Sequence, residues 1–274
     1  MKRNWLAYPY ILWMVIFTAV PMVLIFFYSV FSVEDSGITF TLTHLTRVFE
    51  PLYLLVILRS IKLAVISTVF CLVLGYPMAM ILAERNLSNK SILIVLFVVP
   101  MWMNFLARTY AWMTLLEKNG PIYGFLNFLG LPGFNILYTE SAVILGMVYN
   151  FLPFMVLPIY SVLKKIDRSV IEASEDLGGT PYITFKRIIF PLSLPGVMSG
   201  ITMVFMPAVT TFVISRLLGG GQFMLVGNLI EQQFLTTRDW GFGSSLSFVL
   251  MIFILLSMGI MSRYEKESEG GGLW

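Results

Sequence analysis

Residues Lys164–Pro195 read KKIDRSVIEASEDLGGTPYITFKRIIFPLSLP and lie between two long apolar runs. A bilayer explains those runs but not this stretch, which concentrates charge, paired glycines and three prolines. The pattern predicts helix, turn, helix, stop. Ser169-x-x-Glu172 fits a capping box at the first helix start, with Asp167 as a competing N-cap. Helical spacing puts Val170, Ala173, Ser174 and Leu177 on one side and Glu172, Glu175 and Asp176 on the other. Gly178 and Gly179 end that helix by supplying positive φ without steric cost. Thr180-Pro181 starts a second helix as N-cap and first helical residue. Lys186 and Arg187 fall in its last turn, where cations suit the dipole, and Pro191 and Pro195 mark its end.

The rest of the chain seeks hydrocarbon. Of 274 residues, 58% are hydrophobic and 12% charged, against about 25% charged in soluble domains. The mean hydropathy of +0.84 agrees. Six apolar runs, at about 10–31, 61–83, 92–116, 141–163, 194–218 and 246–261, are each long enough to cross a hydrocarbon core of about 30 Å. The fold expected is an all-α membrane protein of six transmembrane helices in a single domain over 1–264, with a disordered tail at 265–274. The first run is too long for a signal peptide and has no small-residue cleavage site before Glu34-Asp35, so it reads as a retained helix.

Lysine and arginine placement sets the orientation. With the N-terminus inside, cytoplasmic segments hold Lys2, Arg3, Arg85, Lys90, Lys164, Lys165, Arg168, Lys186, Arg187, Arg263 and Lys266. Outer segments and outer helix ends hold Arg47, Arg59, Lys62, Arg108, Lys118, Arg216 and Arg238. The bias favours N-in, C-in and puts Lys164–Pro195 in the cytoplasm. Outer segments carry a candidate helix near Leu42–Phe49, a short amphipathic helix within 117–140, and a re-entrant or surface helix at Gln222–Leu235. A net charge of +3 without a clustered basic face predicts no nucleic-acid partner. The lone Cys71 excludes an intrachain disulfide, and the lone His44 builds no histidine metal site and reads as a loop residue.

Glu172-Ala173-Ser174, Gly178 and Ile188-Ile189-Phe190-Pro191 together resemble the cytoplasmic loop of ABC importer permeases. That loop reads Glu-Ala-Ala, three residues, Gly, nine residues, Ile-x-Leu-Pro. Both spacings are kept, while Ser174 replaces the second Ala and Phe190 replaces Leu. Further runs resemble the polyamine branch of that family: Leu152-Pro153-Phe154-Met155-Val156-Leu157-Pro158, Val99-Pro100-Met101-Trp102, and Arg238-Asp239-Trp240-Gly241-Phe242-Gly243. The resemblance implies a type I importer permease in the bacterial cytoplasmic (inner) membrane, with a coupling helix between helices four and five, in a coupling loop at 164–193. It implies ATPase coupling through Val170, Glu172, Ala173, Ser174, Asp176, Leu177, Gly178 and Pro191. The implied partners are a second permease subunit of a different chain, a dimeric ABC ATPase, an extracytoplasmic polyamine-binding protein and membrane lipid. Spermidine or putrescine is the implied cargo, and another small solute on the same scaffold is the alternative. This chain has no glycine-rich phosphate loop, so it is expected to be a non-catalytic transport subunit without a cofactor, ATP and Mg being bound by the partner ATPase.

A plainer reading makes Glu172 a capping partner and Gly178 a C-cap in an ordinary connector. Connectors have a median of about 4–6 residues and rarely need two phased helices, and the two roles are compatible. Candidates for the substrate path are Trp102, Asn104, Tyr149, Asn150 and Thr210 at membrane depth, and Glu231 and Asp239 in an outer segment. Polar groups at such depth face a cavity or bond to another helix, and the sequence leaves both open. Arg108, awkward beside a polycation, has Glu117 or a partner subunit as its possible counter-charge. A membrane enzyme or a secondary transporter are the rival classes; neither a catalytic constellation nor an inverted repeat is apparent.

Overall fold

The computed structural model describes residues 8–34, 37–84, 90–130 and 136–270. Contacts gather the chain into two units, Met1–Leu58 with Val226–Leu255, and Arg59–Leu225 with Leu256–Trp274. Among the described residues five helices are long and apolar enough to cross a membrane, and a sixth crossing is made if one bent pair counts as a span. Side chains along them such as Leu55, Val73 and Leu96 are exposed, as a bilayer solvent permits.

In the first unit, α1 (Tyr8–Val30) contains a π-turn at Val15–Ala19 and leads into a hairpin of β1 (Phe31–Glu34) and β2 (Gly37–Phe40). The strands are antiparallel, with Phe31 opposite Phe40. The hairpin is absent from the sequence reading because four-residue strands carry too little period-2 pattern. Helix α2 (Thr43–Val48) occupies the expected Leu42–Phe49 stretch. Helix α3 (Pro51–Ala83) starts well before the expected residue 61, since Pro51 at its first position presets the helical φ.

Among the described residues seven further helices follow before the chain returns to the first unit. They are α4 (Lys90–Trp102), α5 (Phe105–Leu116), α6 (Pro121–Phe128), α7 (Glu140–Leu163), α8 (Arg168–Asp176), α9 (Pro181–Thr210) and α10 (Val213–Leu218). The expected third span is broken: Ile92–Trp102 and the segment beginning at Phe105 meet at 94°. Asn104, expected within the span at 92–116, instead caps α5, accepting from the backbone N–H of Leu106 at 2.9 Å and of Ala107 at 3.3 Å. The expected fifth span is also displaced. Helix α9 begins at Pro181, and two residues, the extended Thr211 and then Phe212, separate it from α10.

Helix α9 packs on α7 through a pair of glycines four apart. A Cβ on Gly196 would lie 2.9 Å from the Pro158 carbonyl oxygen, and one on Gly200 2.8 Å from Met155 Sδ. Such small-residue spacing lets helix backbones approach within a membrane. At the start of α7, Glu140 is held by Lys62 at 2.8 Å and by Arg59 at 3.5 Å, so two of the cations weakening the charge bias are engaged locally.

Back in the first unit, α11 (Val226–Gln232) runs into a π-turn at Gln233–Thr237, overlapping the expected Gln222–Leu235 stretch, and α12 (Trp240–Gly270), which belongs to the second unit from Leu256 on, completes the fold. Val48, Leu229, Phe242 and Leu246 form its buried cluster. The backbone of 265–270, assigned to a disordered tail by composition, is helical; residues 271–274 of that tail lie outside the described residues.

Candidate functional site

The Lys164–Pro195 stretch folds as two helices closed by a tight turn. Asp167 is the N-cap of α8, its carboxylate accepting from Ser169 N–H at 3.1 Å. Ser169 therefore lies inside the helix and the capping box is not made. Glu172 pairs instead with Arg168, at 2.8 Å and one turn back. At the far end Gly179 N–H donates to Ser174 O at 2.8 Å and Gly178 N–H to Glu175 O at 2.9 Å, the paired bonds of a Schellman closure. Gly178 sits at φ +79°, and a Cβ on Gly179 would fall 2.5 Å from Ser174 Oγ. One glycine is required by conformation and the other by space.

Thr180 caps the next helix, accepting from Ile183 N–H at 3.4 Å, with Pro181 at the first turn. The expected stop at Pro191 and Pro195 does not occur. A π-turn at Phe185–Ile189, with Phe190 N–H bonded to Phe185 O, carries the helix past both prolines. The wider turn makes room for a ring that would clash with the preceding carbonyl in regular α-geometry.

The closed turn is anchored through Ser174. Ser174 Oγ lies 2.9 Å from Thr184 Oγ1, and Thr184 is buried. Tyr76 of α3 bonds Ser193 hydroxyl to hydroxyl at 2.7 Å, and its ring centroid lies 5.8 Å from Phe185 and 5.9 Å from Phe190. A cavity of about 360 Å³ beneath α8 is lined by Ala83, Glu84, Leu163, Ile171 and Glu175 among others. Ile171, not Val170, turns toward the body of the unit. Val170, Ala173, Asp176 and Pro191 are exposed, and Leu177 is 90% exposed. Sequence reasoning missed Ile171, Tyr76 and Ser193; a tyrosine beside Pro77 in an apolar run was the only cue to Tyr76.

The membrane-depth candidates of the second unit separate by role. Trp102 ends α4 and is 81% exposed. Tyr149 stacks edge-on with Trp112, centroids 5.2 Å apart. Asn150 is buried; its Nδ2 donates to Gly146 O at 2.8 Å, and its Oδ1 has no partner among the described residues. Thr210 turns its hydroxyl back to Met206 O at 3.2 Å, the local bonding expected of a threonine near a helix end. Arg108 is buried with its Nε unpartnered, and among the described residues no ion pair joins it to Glu117.

In the first unit Asp239 has both oxygens engaged. Oδ2 accepts from Arg47 at 2.9 Å and Oδ1 from Phe242 N–H at 3.0 Å. Arg47 also donates to Tyr53 at 3.1 Å and lies 4.2 Å from the Phe242 ring centroid. The bond to Tyr53, with Asp239 beside it, holds the Arg47 guanidinium above its ordinary pKa. Glu231 is half-buried on α11 and also interacts within the chain. Among the described residues no group of three or more His, Cys, Asp or Glu could hold a metal ion.

A profile of the binding-protein-dependent transport system inner membrane component family matches residues 65–267. The spermidine/putrescine transport system permease protein PotB of Escherichia coli (strain K12) is 42% identical over 259 residues, covering 93% of this chain and 94% of that protein. PotB of Haemophilus influenzae is 36% identical over 259 residues, covering 93% and 91%. Among solved structures, a bacterial alginate ABC transporter in complex with an alginate pentasaccharide-bound periplasmic protein superposes with a TM-score of 0.79 at 16% identity, covering 97% of this chain and 96% of that one.

Proposed function

Because this chain belongs to the family of binding-protein-dependent transport system inner membrane components, we propose that it forms half of a translocation path for spermidine or putrescine, driven through residues 164–193 by an ATPase on another subunit. It is a multi-pass permease subunit of an ABC transporter in the inner membrane. The fold leaves the cargo open, since the superposed transporter is one for alginate. The polyamine reading rests on 42% identity across nearly the full length of a spermidine/putrescine permease. The periplasmic protein bound to the alginate transporter supports an extracytoplasmic binding protein for this chain as well.

One observation carries the coupling reading. Helix α8 is capped at both ends and tied to Thr184, yet Val170, Ala173 and Leu177 are exposed. Burying an exposed leucine or valine contributes about 1.5–3 kcal/mol, so this small apolar face fits a groove on an ATPase dimer, with Glu172, Glu175 and Asp176 meeting polar or basic groups. A closed helix transmits a rigid-body displacement, whereas a loose loop absorbs it. Displacement would pass through Ser174–Thr184 into α9, and through Phe185, Phe190 and Ser193 to Tyr76 of α3. N-in, C-in orientation puts α8 on the ATPase side. ATP and Mg belong to the ATPase subunits, and this chain takes no catalytic part.

Reconstitution in proteoliposomes with a second permease subunit and the ATPase tests this reading. Labelled spermidine should enter only with ATP, and the loaded binding protein should raise ATP hydrolysis. Spermidine uptake by this chain alone, without an ATPase, would overturn the reading in favour of a secondary transporter.

A further inference from the structure

Arg108 leaves the second unit chemically unfinished. It lies on α5 with 8% of its surface exposed, and its Nε has no hydrogen-bond partner. A largely buried guanidinium with an unpartnered Nε is expensive, and arginine cannot shed its proton to escape. The acids near it in the chain are not available. Glu117 is exposed past the end of α5 and makes no ion pair with Arg108 among the described residues. Glu140 is already held by Arg59 and Lys62.

We propose that Arg108 is the seat for a carboxylate carried by the second permease subunit. A polyamine cargo cannot supply the counter-charge, since it bears the same sign. Most of the side chain is covered by this chain's own atoms, and a partner's carboxylate would reach it through the 8% of the residue that stays exposed. A planar guanidinium matches the two oxygens of a carboxylate, and such pairs are the strong ones when water is excluded. Ionisable groups inside membrane bundles pair with one another across helices. The inference rests on the permease reading above, which requires a second such subunit.

The test co-expresses the full chain with the second permease subunit and the ATPase, and purifies the complex from membranes. Arg108→Met keeps an apolar stem and removes the charge. Recovery of the assembled complex should fall on the order of a hundred-fold, because breaking a buried pair strands the partner's charge. Arg108→Lys should restore most of it, and one Asp→Asn or Glu→Gln change in the second subunit should reproduce the loss. Expressed alone, the Arg108→Met chain should insert at the wild-type level, with a thermal midpoint at or above wild type. Wild-type assembly by Arg108→Met overturns the inference. So does an Arg108→Met chain that fails to fold alone, or a loss that no carboxylate change in the partner reproduces. A wild-type chain that assembles with no second permease overturns the permease reading itself, and this inference with it.

Discussion

The hydroxyl of Tyr76 lies 2.7 Å from that of Ser193, joining α3 to α9 across 117 positions of sequence. The same ring packs against Phe185 and Phe190, so one side chain fastens the base of the Lys164–Pro195 turn to a membrane-spanning helix. Tyr76→Phe removes the hydrogen bond and keeps the rings. Ser193 retains its bond to Phe190 O, so the loss should stay at about 0.5–1.5 kcal/mol. Tyr76→Ala removes the rings as well and should lose on the order of 3–5 kcal/mol. Thermal unfolding of the two variants in detergent checks the ranking; equal losses would contradict it.

Gly178 and Gly179 should respond differently to the same substitution. Gly178→Ala meets no atom within 4 Å and suffers only from its positive φ, about 1–2 kcal/mol. Gly179→Ala places a methyl group on Ser174 Oγ and Ser174 O, where the turn itself must open. Hydrogen exchange of the α8 amides should accelerate modestly in the first variant and strongly in the second. The reverse order would mean that the closure differs from the Schellman arrangement.

On the α7–α9 contact, Gly196→Ala should be more damaging than Gly200→Ala. The first would meet the Pro158 carbonyl and Ile159 Cα, which are backbone, and the second meets Met155 Sδ first. A thioether can swing aside, leaving Gly200→Ala with backbone contacts at 3.1 and 3.3 Å to Met155 against 2.9 and 3.0 Å at Gly196, so overpacking of about 1–3 kcal/mol should be larger at Gly196. Thermal midpoints of the single variants decide the point.

Local features of this chain were legible in its sequence. Gly178-Gly179 and Thr180-Pro181 announced a helix end and a helix start because their effects are confined to adjacent residues. The uninterrupted run near 141–163 gave α7 almost residue for residue. The broken third span was not legible, since an asparagine that caps a helix and one within a helix look alike between apolar flanks. Pro191 misled because the stop rule assumes regular α-turns, and the π-turn at Phe185–Ile189 relaxes that assumption. Pairings such as Tyr76–Ser193 and Arg47–Asp239, the latter spanning 192 positions, have no local signature at all. Asp239, a substrate-path candidate in the sequence, has both of its oxygens engaged within the chain.

Asp239→Asn separates a structural role from a cargo role. The ion pair with Arg47 is partly exposed, at 38% and 30% of the two side chains, so its loss should lower stability by less than about 1 kcal/mol. The half-saturating concentration for spermidine transport should stay within about twofold of wild type, an energy change of less than 0.5 kcal/mol. A tenfold rise at unchanged thermal stability would assign Asp239 to the cargo path instead.

The central claim is that the exposed face of α8 meets the ATPase, and a cross-link reads it directly. Cys71 is buried, so a single introduced thiol can be followed cleanly. In the assembled complex Leu177→Cys should form a bismaleimide product with an ATPase subunit carrying a surface cysteine in its permease-facing groove, and Trp102→Cys should not. An assembled complex in which Leu177→Cys gives no ATPase adduct, or in which Trp102→Cys gives one in its place, would contradict the account.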